Sequence, residues 1–103
     1  MDVLVRHVAS RDDWAKPKDD SDAWRDYWYQ HSPYNYPSSC PDCHRRITSS
    51  SMLVGAHVKK FYSNDQKIYI VPTCRECNLK GATDYHTFEC PEMYLVPANK
   101  DNL

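Results

Sequence analysis

The sequence contains few of the aliphatic residues and phenylalanines that usually fill a protein core. Leu, Ile, Val and Phe together make up only 17 of its 103 residues, and the hydrophobic share of 41% depends on eight Tyr and three Trp. A single domain of this length with so little aliphatic mass needs a further source of stability. A covalent or metal cross-link is a common source in small domains, so the cysteines need close inspection.

Long apolar segments are also missing. The first ten residues, MDVLVRHVAS, contain at most three consecutive apolar residues, which is too few for a signal sequence. No stretch approaches the ~18 apolar residues of a membrane-spanning helix. We therefore expect a soluble cytoplasmic protein that keeps its thiols reduced and has no membrane partner.

The chain has no strong excess of either charge, since its net charge is −1. The charges are nevertheless unevenly distributed along the sequence. Residues 40–81 contain seven Lys or Arg and three Asp or Glu, whereas the segments on both sides have an acidic excess. This basic segment favours an anionic partner.

Residues 1–38 are predicted to form an N-terminal arm and an amphipathic helix that packs on the rest of the domain. The helix begins near Ser21, and either Asp20 or Ser21 can cap it. Trp24, Tyr27, Trp28 and His31 fall at positions i, i+3, i+4 and i+7, so they share one helical face. Core packing is the main interpretation of this aromatic face. A platform for base stacking and a surface for a protein partner are the alternatives.

Residues 39–103 contain two CxxC pairs, Cys40/Cys43 and Cys74/Cys77, with 30 residues between them. Four thiolates at this spacing can bind one tetrahedral zinc ion at about 2.3 Å. Structural Zn²⁺ is therefore the favoured interpretation. Disulfides would need an oxidising compartment, and a thioredoxin-like redox pair would need a βαβ context, so both are weaker alternatives.

The elements around the cysteines follow a recognisable order. A knuckle at the first pair is followed by predicted strands at 52–62 and 67–72 and by a short helix at 74–81 that stops at Gly81. A further strand is possible at 93–96. The order knuckle, hairpin and helix defines a treble-clef zinc finger, so we predict a small zinc-stabilised α+β domain.

Three further residues have metal-binding side chains. His44 follows the first pair directly, and we expect it to be exposed or bound to something else because four cysteines already complete a zinc site. Cys90 is expected to be a small buried hydrophobe. The sequence assigns no role to His86.

The segments CPDC, GAHV and YIVPTCRECN together resemble the zinc-stabilised branch of the HNH nuclease superfamily, over about residues 40–81. The resemblance implies a ββα-metal site in which His57 is the general base that activates water against a phosphodiester. It also implies that Asn78 binds a catalytic Mg²⁺ or another divalent ion. The chain departs from the family pattern at Ala56, where an aspartate is usual, and at Tyr69, near the expected middle asparagine.

Basic residues around this motif could form one surface that faces phosphates, although a solvated face is the alternative. The candidates are Arg45, Arg46, Lys59, Lys60, Lys67, Arg75 and Lys80. Our first hypothesis is a zinc-binding, HNH-like domain that binds nucleic acid, such as DNA, or another protein. The alternative is a small, metal-dependent HNH-type DNA endonuclease.

Overall fold

A computed structural model describes residues 2–8, 21–62, 64, 67–84 and 86–98. Within these ranges, five strands and two helices form an α+β fold, and none of its helices combines the length and apolar content that a membrane crossing requires. The bounds are β1 (Asp2–His7), α1 (Ser21–His31), β2 (Leu53–Lys60), β3 (Tyr69–Cys74), α2 (Arg75–Asp84), β4 (Thr87–Pro91) and β5 (Val96–Pro97). Short 3₁₀ turns at Ser50–Met52 and Glu92–Tyr94 precede β2 and β5.

The strands form one antiparallel sheet in the order β4-β1-β2-β3-β5. Its centre is the hairpin of β2 and β3, in which Leu53 lies opposite Cys74 and Val58 lies opposite Tyr69. The run of Val, Ile and Tyr in β3 suits such a central position because it is buried on both faces. The predicted hairpin is therefore confirmed, with β2 ending at Lys60 and β3 continuing to the third cysteine.

Helix α1 lies directly on the face of the hairpin that carries Gly55. A Cβ atom at Gly55 would come within 2.5 Å of the Trp24 carbonyl carbon and 2.7 Å of the Arg25 nitrogen. Only glycine leaves room for the helix backbone at this distance. The indole Nε1 of Trp28 donates to the carbonyl oxygen of Tyr94 at 2.7 Å, which fixes the helix against the end of the sheet.

The aromatic face of α1 forms part of the core, as predicted. Trp24, Tyr27 and Trp28 are 0%, 6% and 0% exposed. His31 differs, because it is exposed at the end of the helix, where its ring centroid lies 4.3 Å from that of Tyr27. This burial supports core packing over the two alternatives, since a buried ring is not accessible to a base or to a partner.

The opposite face of the sheet has its own core cluster, to which β1, β2, β3 and β4 all contribute. Its buried members are Val5, Val58, Tyr69, Val71, Phe88 and Cys90. The two edge strands β4 and β5 are joined by residues 92–95, which include the second 3₁₀ turn.

Several elements differ from the sequence-based expectations. β1 and β4 were not predicted, yet β1 pairs with both β2 and β4 inside the sheet. Helix α2 continues to Asp84, beyond the expected stop at Gly81. The first two residues of the expected strand at 93–96 lie in a 3₁₀ turn, and only its last residue enters β5. Strand formation depends strongly on pairing partners and burial, which local sequence does not show.

Candidate metal centre

The first cysteine pair lies in a tight turn that backbone hydrogen bonds close. The Cys40 amide donates to the carbonyl of Arg45 at 2.9 Å, and the His44 amide donates to the carbonyl of Cys40 at 2.8 Å. His44 has a φ of 66°, in the left-handed region that favours glycine. Its side chain is exposed, which agrees with the expectation that it is not needed as a fifth ligand.

The second pair lies where β3 passes into α2. Cys74 is the last residue of the strand, and Cys77 follows in the first turn of the helix. The pairing of β3 with β2 fixes Cys74 opposite Leu53. The Cys74 amide donates to the sulfur of Cys40 at 3.4 Å, which links the two pairs directly.

The four sulfur atoms all lie within 4.8 Å of one another. The sulfurs of Cys40 and Cys77 are 3.9 Å apart, and those of Cys43 and Cys74 are 3.7 Å apart. Four sulfurs at about 2.3 Å from a tetrahedral ion would be about 3.8 Å from one another. The two measured distances, each between a cysteine of the first CxxC pair and one of the second, are close to this value. Disulfide sulfurs are about 2.05 Å apart, and all five cysteines are free thiols. The four cysteines could therefore hold one metal ion such as zinc.

The pKa values of three of the clustered thiols are shifted by their surroundings. Burial raises the pKa of the Cys40 and Cys77 thiols. At Cys43, burial also acts upward, but the backbone amide of Arg45 and the neighbouring thiols outweigh it, so the pKa is lowered. Bringing four thiolates this close is unfavourable without a counter-charge, and a bound divalent cation supplies it.

Asp42, in the middle of the knuckle, connects the cysteine cluster to strand β1 and to the residue that precedes β4. Its carboxylate, only 6% exposed, accepts hydrogen bonds from His86 Nε2 at 2.7 Å and from His7 Nε2 at 3.3 Å. His7 is buried in β1, and its ring packs on Phe88 of β4 at 5.2 Å between centroids. Sequence analysis missed this connection because the two histidines are 35 and 44 residues from Asp42 and share no motif with it.

His57 lies on the side of β2 that α1 covers. Its ring meets the Trp24 ring edge-on, with 4.9 Å between centroids. Its Nε2 atom is buried, and burial lowers the pKa of the imidazole to about 4. A general base must be within hydrogen-bond reach of the attacking water, so this placement does not favour that role. Asn78 is partly exposed on α2, and the catalytic assignments of both residues stay predictions.

Three of the basic candidates lie near the cysteine cluster. Arg45 and Arg75 line one depression beside Cys74. Arg45 also forms an ion pair with Glu76, with 3.0 Å between nitrogen and oxygen. Arg46 follows in the knuckle, and all three arginine side chains are exposed.

The lysine candidates are less closely grouped. Lys59 and Lys60 lie at the end of β2, about 20 Å along the strand from Leu53 beside the cluster. Lys60 faces Glu92, with 3.9 Å between nitrogen and oxygen. The side chain of Lys80 lies outside the described part of the structure. Near the cysteines, the expected basic surface therefore contains the three arginines but not the lysines of β2.

The fifth cysteine is separate from the cluster. Cys90 lies in β4 and is 0% exposed. Burial is the main reason that the pKa of its thiol is raised to about 12. The prediction of a small buried hydrophobe is confirmed.

Comparisons with protein-family models, with curated proteins and with solved structures find no match for this chain. The resemblance to the HNH superfamily therefore stays a prediction. The function has to be argued from the geometry of the site.

Proposed function

We propose that this chain is a zinc-stabilised binding module of the treble-clef type, with an HNH-like plan and with nucleic acid as its ligand. Cys40, Cys43, Cys74 and Cys77 would bind one structural Zn²⁺. The observation that carries the proposal is the pair of sulfur separations, 3.7 and 3.9 Å, which suit a tetrahedral ion. The order of knuckle, hairpin and helix around these sulfurs supports the treble-clef assignment.

The ion would have a structural task that this particular chain needs. It would join the knuckle, the end of β3 and the first turn of α2, the three places that supply the four sulfurs. All four positions are filled by cysteines, so the site is closed, and closed four-ligand sites stabilise folds rather than activate water.

The arginines beside the cluster support the nucleic-acid part of the proposal. Arg45, Arg46 and Arg75 are exposed on the elements that the ion would join. Guanidinium groups bind phosphate oxygens in a bidentate manner, and phosphate contacts dominate the affinity of most nucleic-acid-binding proteins. The endonuclease alternative receives less support, because α1 covers the face of β2 on which His57 lies.

Metal analysis of the protein, purified under reducing conditions, tests the first part. We expect one zinc per chain, and Co²⁺ substituted for zinc should give the visible absorption of a tetrahedral thiolate site. A folded protein that contains no metal and takes up none would overturn the assignment.

Fluorescence anisotropy with a labelled oligonucleotide at several salt concentrations tests the second part. The double variant Arg46→Ala, Arg75→Ala should bind more weakly and show a smaller dependence on salt. The double variant Lys59→Ala, Lys67→Ala is the matched control, since it also removes two positive charges, at the end of the hairpin that lies about 20 Å from the cysteines. Equal losses in both variants would contradict a site at the knuckle.

A further inference from the structure

A column of three aromatic rings runs from the core to the surface beside the knuckle. The ring of Tyr36 stacks on buried Trp28, with 5.7 Å between centroids and 26° between planes. The ring of Tyr29 stacks on Tyr36 at 4.8 Å and 18°. Tyr29 ends the column and is 48% exposed. Because Tyr36 packs on the buried ring of Trp28, the ring of Tyr29 is held in a defined position at the surface.

Hydrogen bonds at the outer end hold the two tyrosine rings in place. The Tyr36 hydroxyl donates to the carbonyl of Arg25 at 3.3 Å. The Tyr29 hydroxyl donates to the side-chain oxygen of Asn35 at 3.4 Å. A ring that is already oriented loses little freedom when a flat ligand stacks on it, which favours binding.

The two tyrosines form one wall of a groove of about 410 Å³. Asn35, Pro37, Ser38 and residues 47–50 form the rest of the lining. Its volume falls within the usual range for small-ligand sites, about 300–1,000 Å³. The lining combines aromatic faces with the hydroxyl and amide groups of Ser, Thr and Asn, and this combination suits a nucleobase, which has a flat face and polar edges.

The arginine depression adjoins this groove. Ser50 lines the groove and Ser51 lines the depression, so the two meet at the 3₁₀ turn. Nη2 of Arg75 donates to the carbonyl of Ser51 at 3.4 Å, which places this arginine at the junction. Arg46 lies between Arg45 of the depression and Ile47 of the groove in the chain.

Exposed arginine side chains beside the groove can contact phosphates. Glu76 and Asp26 have arginine partners, Arg45 at 3.0 Å and Arg25 at 3.2 Å. Arg75 lies at the junction, and Arg46 is exposed next to Arg45 in the chain. A zinc ion held by four thiolates would have a formal charge of −2, so phosphate binding here would depend on these individual guanidinium groups and not on a net positive charge. A proline-rich peptide also fits aromatic grooves, but it offers no phosphates for the arginines.

We propose that this surface binds single-stranded nucleic acid, with a base stacked on Tyr29 in the groove and the adjoining phosphates on Arg45, Arg46 and Arg75. The inference rests on the proposed nucleic-acid function and specifies its ligand. The flat face of a base is accessible in a single strand, whereas in a duplex it is covered by the neighbouring base pairs.

The test measures the affinity of the zinc-loaded full chain for a labelled oligo-dT strand, for a duplex of equal length and for a proline-rich peptide. We expect the single strand to bind more tightly than the duplex. Tyr29→Ala should weaken single-strand binding about 5- to 100-fold, the range found when one stacking ring is removed. Tyr29→Phe, which keeps the ring, should bind within about twofold of the original protein.

A second variant checks the phosphate contacts, and Tyr62→Ala checks for nonspecific effects. Arg46→Ala should reduce the slope of log affinity against log salt by about 0.7 for a single strand. Tyr62→Ala, which removes an 86% exposed ring elsewhere, should change nothing. Zinc content and circular dichroism confirm that each variant is folded.

The outcomes separate this inference from the function on which it rests. Equal binding of single strand and duplex, unaffected by Tyr29→Ala, would overturn the stacking site and leave the nucleic-acid function intact. Absence of binding to either nucleic acid would overturn both. Binding of the peptide alone, lost in Tyr29→Ala, would assign the groove to a peptide instead.

Discussion

Replacement of Cys74 by serine should unfold this domain, whereas the same replacement at Cys90 should not. Both residues lie in strands and are almost fully buried, at 3% and 0% exposed. The two substitutions therefore exchange the same atoms in similarly buried surroundings. They differ in one respect, since the sulfur of Cys74 belongs to the four-sulfur cluster and that of Cys90 does not.

The expected magnitudes follow from what each sulfur does. Structural zinc contributes about 10–16 kcal/mol of folding free energy in small zinc domains at neutral pH. The net stability of a folded domain is about 5–15 kcal/mol, so loss of zinc binding removes most or all of it. Cys90→Ser only buries a hydroxyl in an apolar cluster, which costs about 1–3 kcal/mol. That loss corresponds to a decrease in Tm of about 5–20 °C for a chain of this size.

The assay combines thermal unfolding, followed by circular dichroism, with zinc analysis of the same samples. We expect Cys74→Ser to lack a cooperative transition and to contain little zinc, and Cys90→Ser to melt cooperatively with one zinc per chain. Treatment of the original protein with a chelator should reproduce the behaviour of Cys74→Ser. A cooperative and unshifted melt of Cys74→Ser would refute the reasoning, as would loss of zinc from Cys90→Ser.

Three further predictions concern the fold and the catalytic alternative. Gly55→Ala should destabilise the protein by about 1–3 kcal/mol in urea unfolding, because its Cβ collides with the backbone at Trp24. Gly81→Ala, inside helix α2, should not destabilise it. Equal effects of the two substitutions would contradict the close packing of α1 on Gly55. His44→Gly should raise the free energy of unfolding in urea by about 0.5–1 kcal/mol, since glycine adopts a φ of 66° without strain; a lower free energy of unfolding would show that the histidine side chain is needed. Plasmid nicking with Mg²⁺ or Mn²⁺ should be no faster for the original protein than for His57→Ala, and a clear difference would revive the endonuclease hypothesis.

The elements that local patterns specify were predictable. The Val, Ile and Tyr residues of 69–71 mark a strand, and the helical spacing of Trp24, Tyr27 and Trp28 marks a buried face. The CxxC spacing brings two thiols close within each pair, because a turn or a helix start leaves few other conformations. The meeting of the two pairs was a hypothesis from the sequence, and the separations between their sulfurs support it.

The elements that depend on distant partners were not predictable. β1 begins within an apparently irregular arm, and it is a strand because β2 and β4 supply hydrogen bonds on both sides. The hydrogen bonds of Asp42 with His7 and His86 have the same origin, since folding brings together residues from three parts of the chain. Nor could the sequence show that Tyr29, outside the buried face of α1, would stack on Tyr36 with 4.8 Å between ring centroids.

The sequence by itself determined the two thiol pairs, the hairpin and the aromatic helix, because each depends on interactions between residues close in the chain. Only the tertiary structure decided that α1 would cover His57 and that a tyrosine column would adjoin the arginines of the knuckle. Such arrangements depend on how one element packs against another. Gly55 illustrates the difference. The sequence shows that this position has no side chain, and only the tertiary structure shows that helix α1 packs against it.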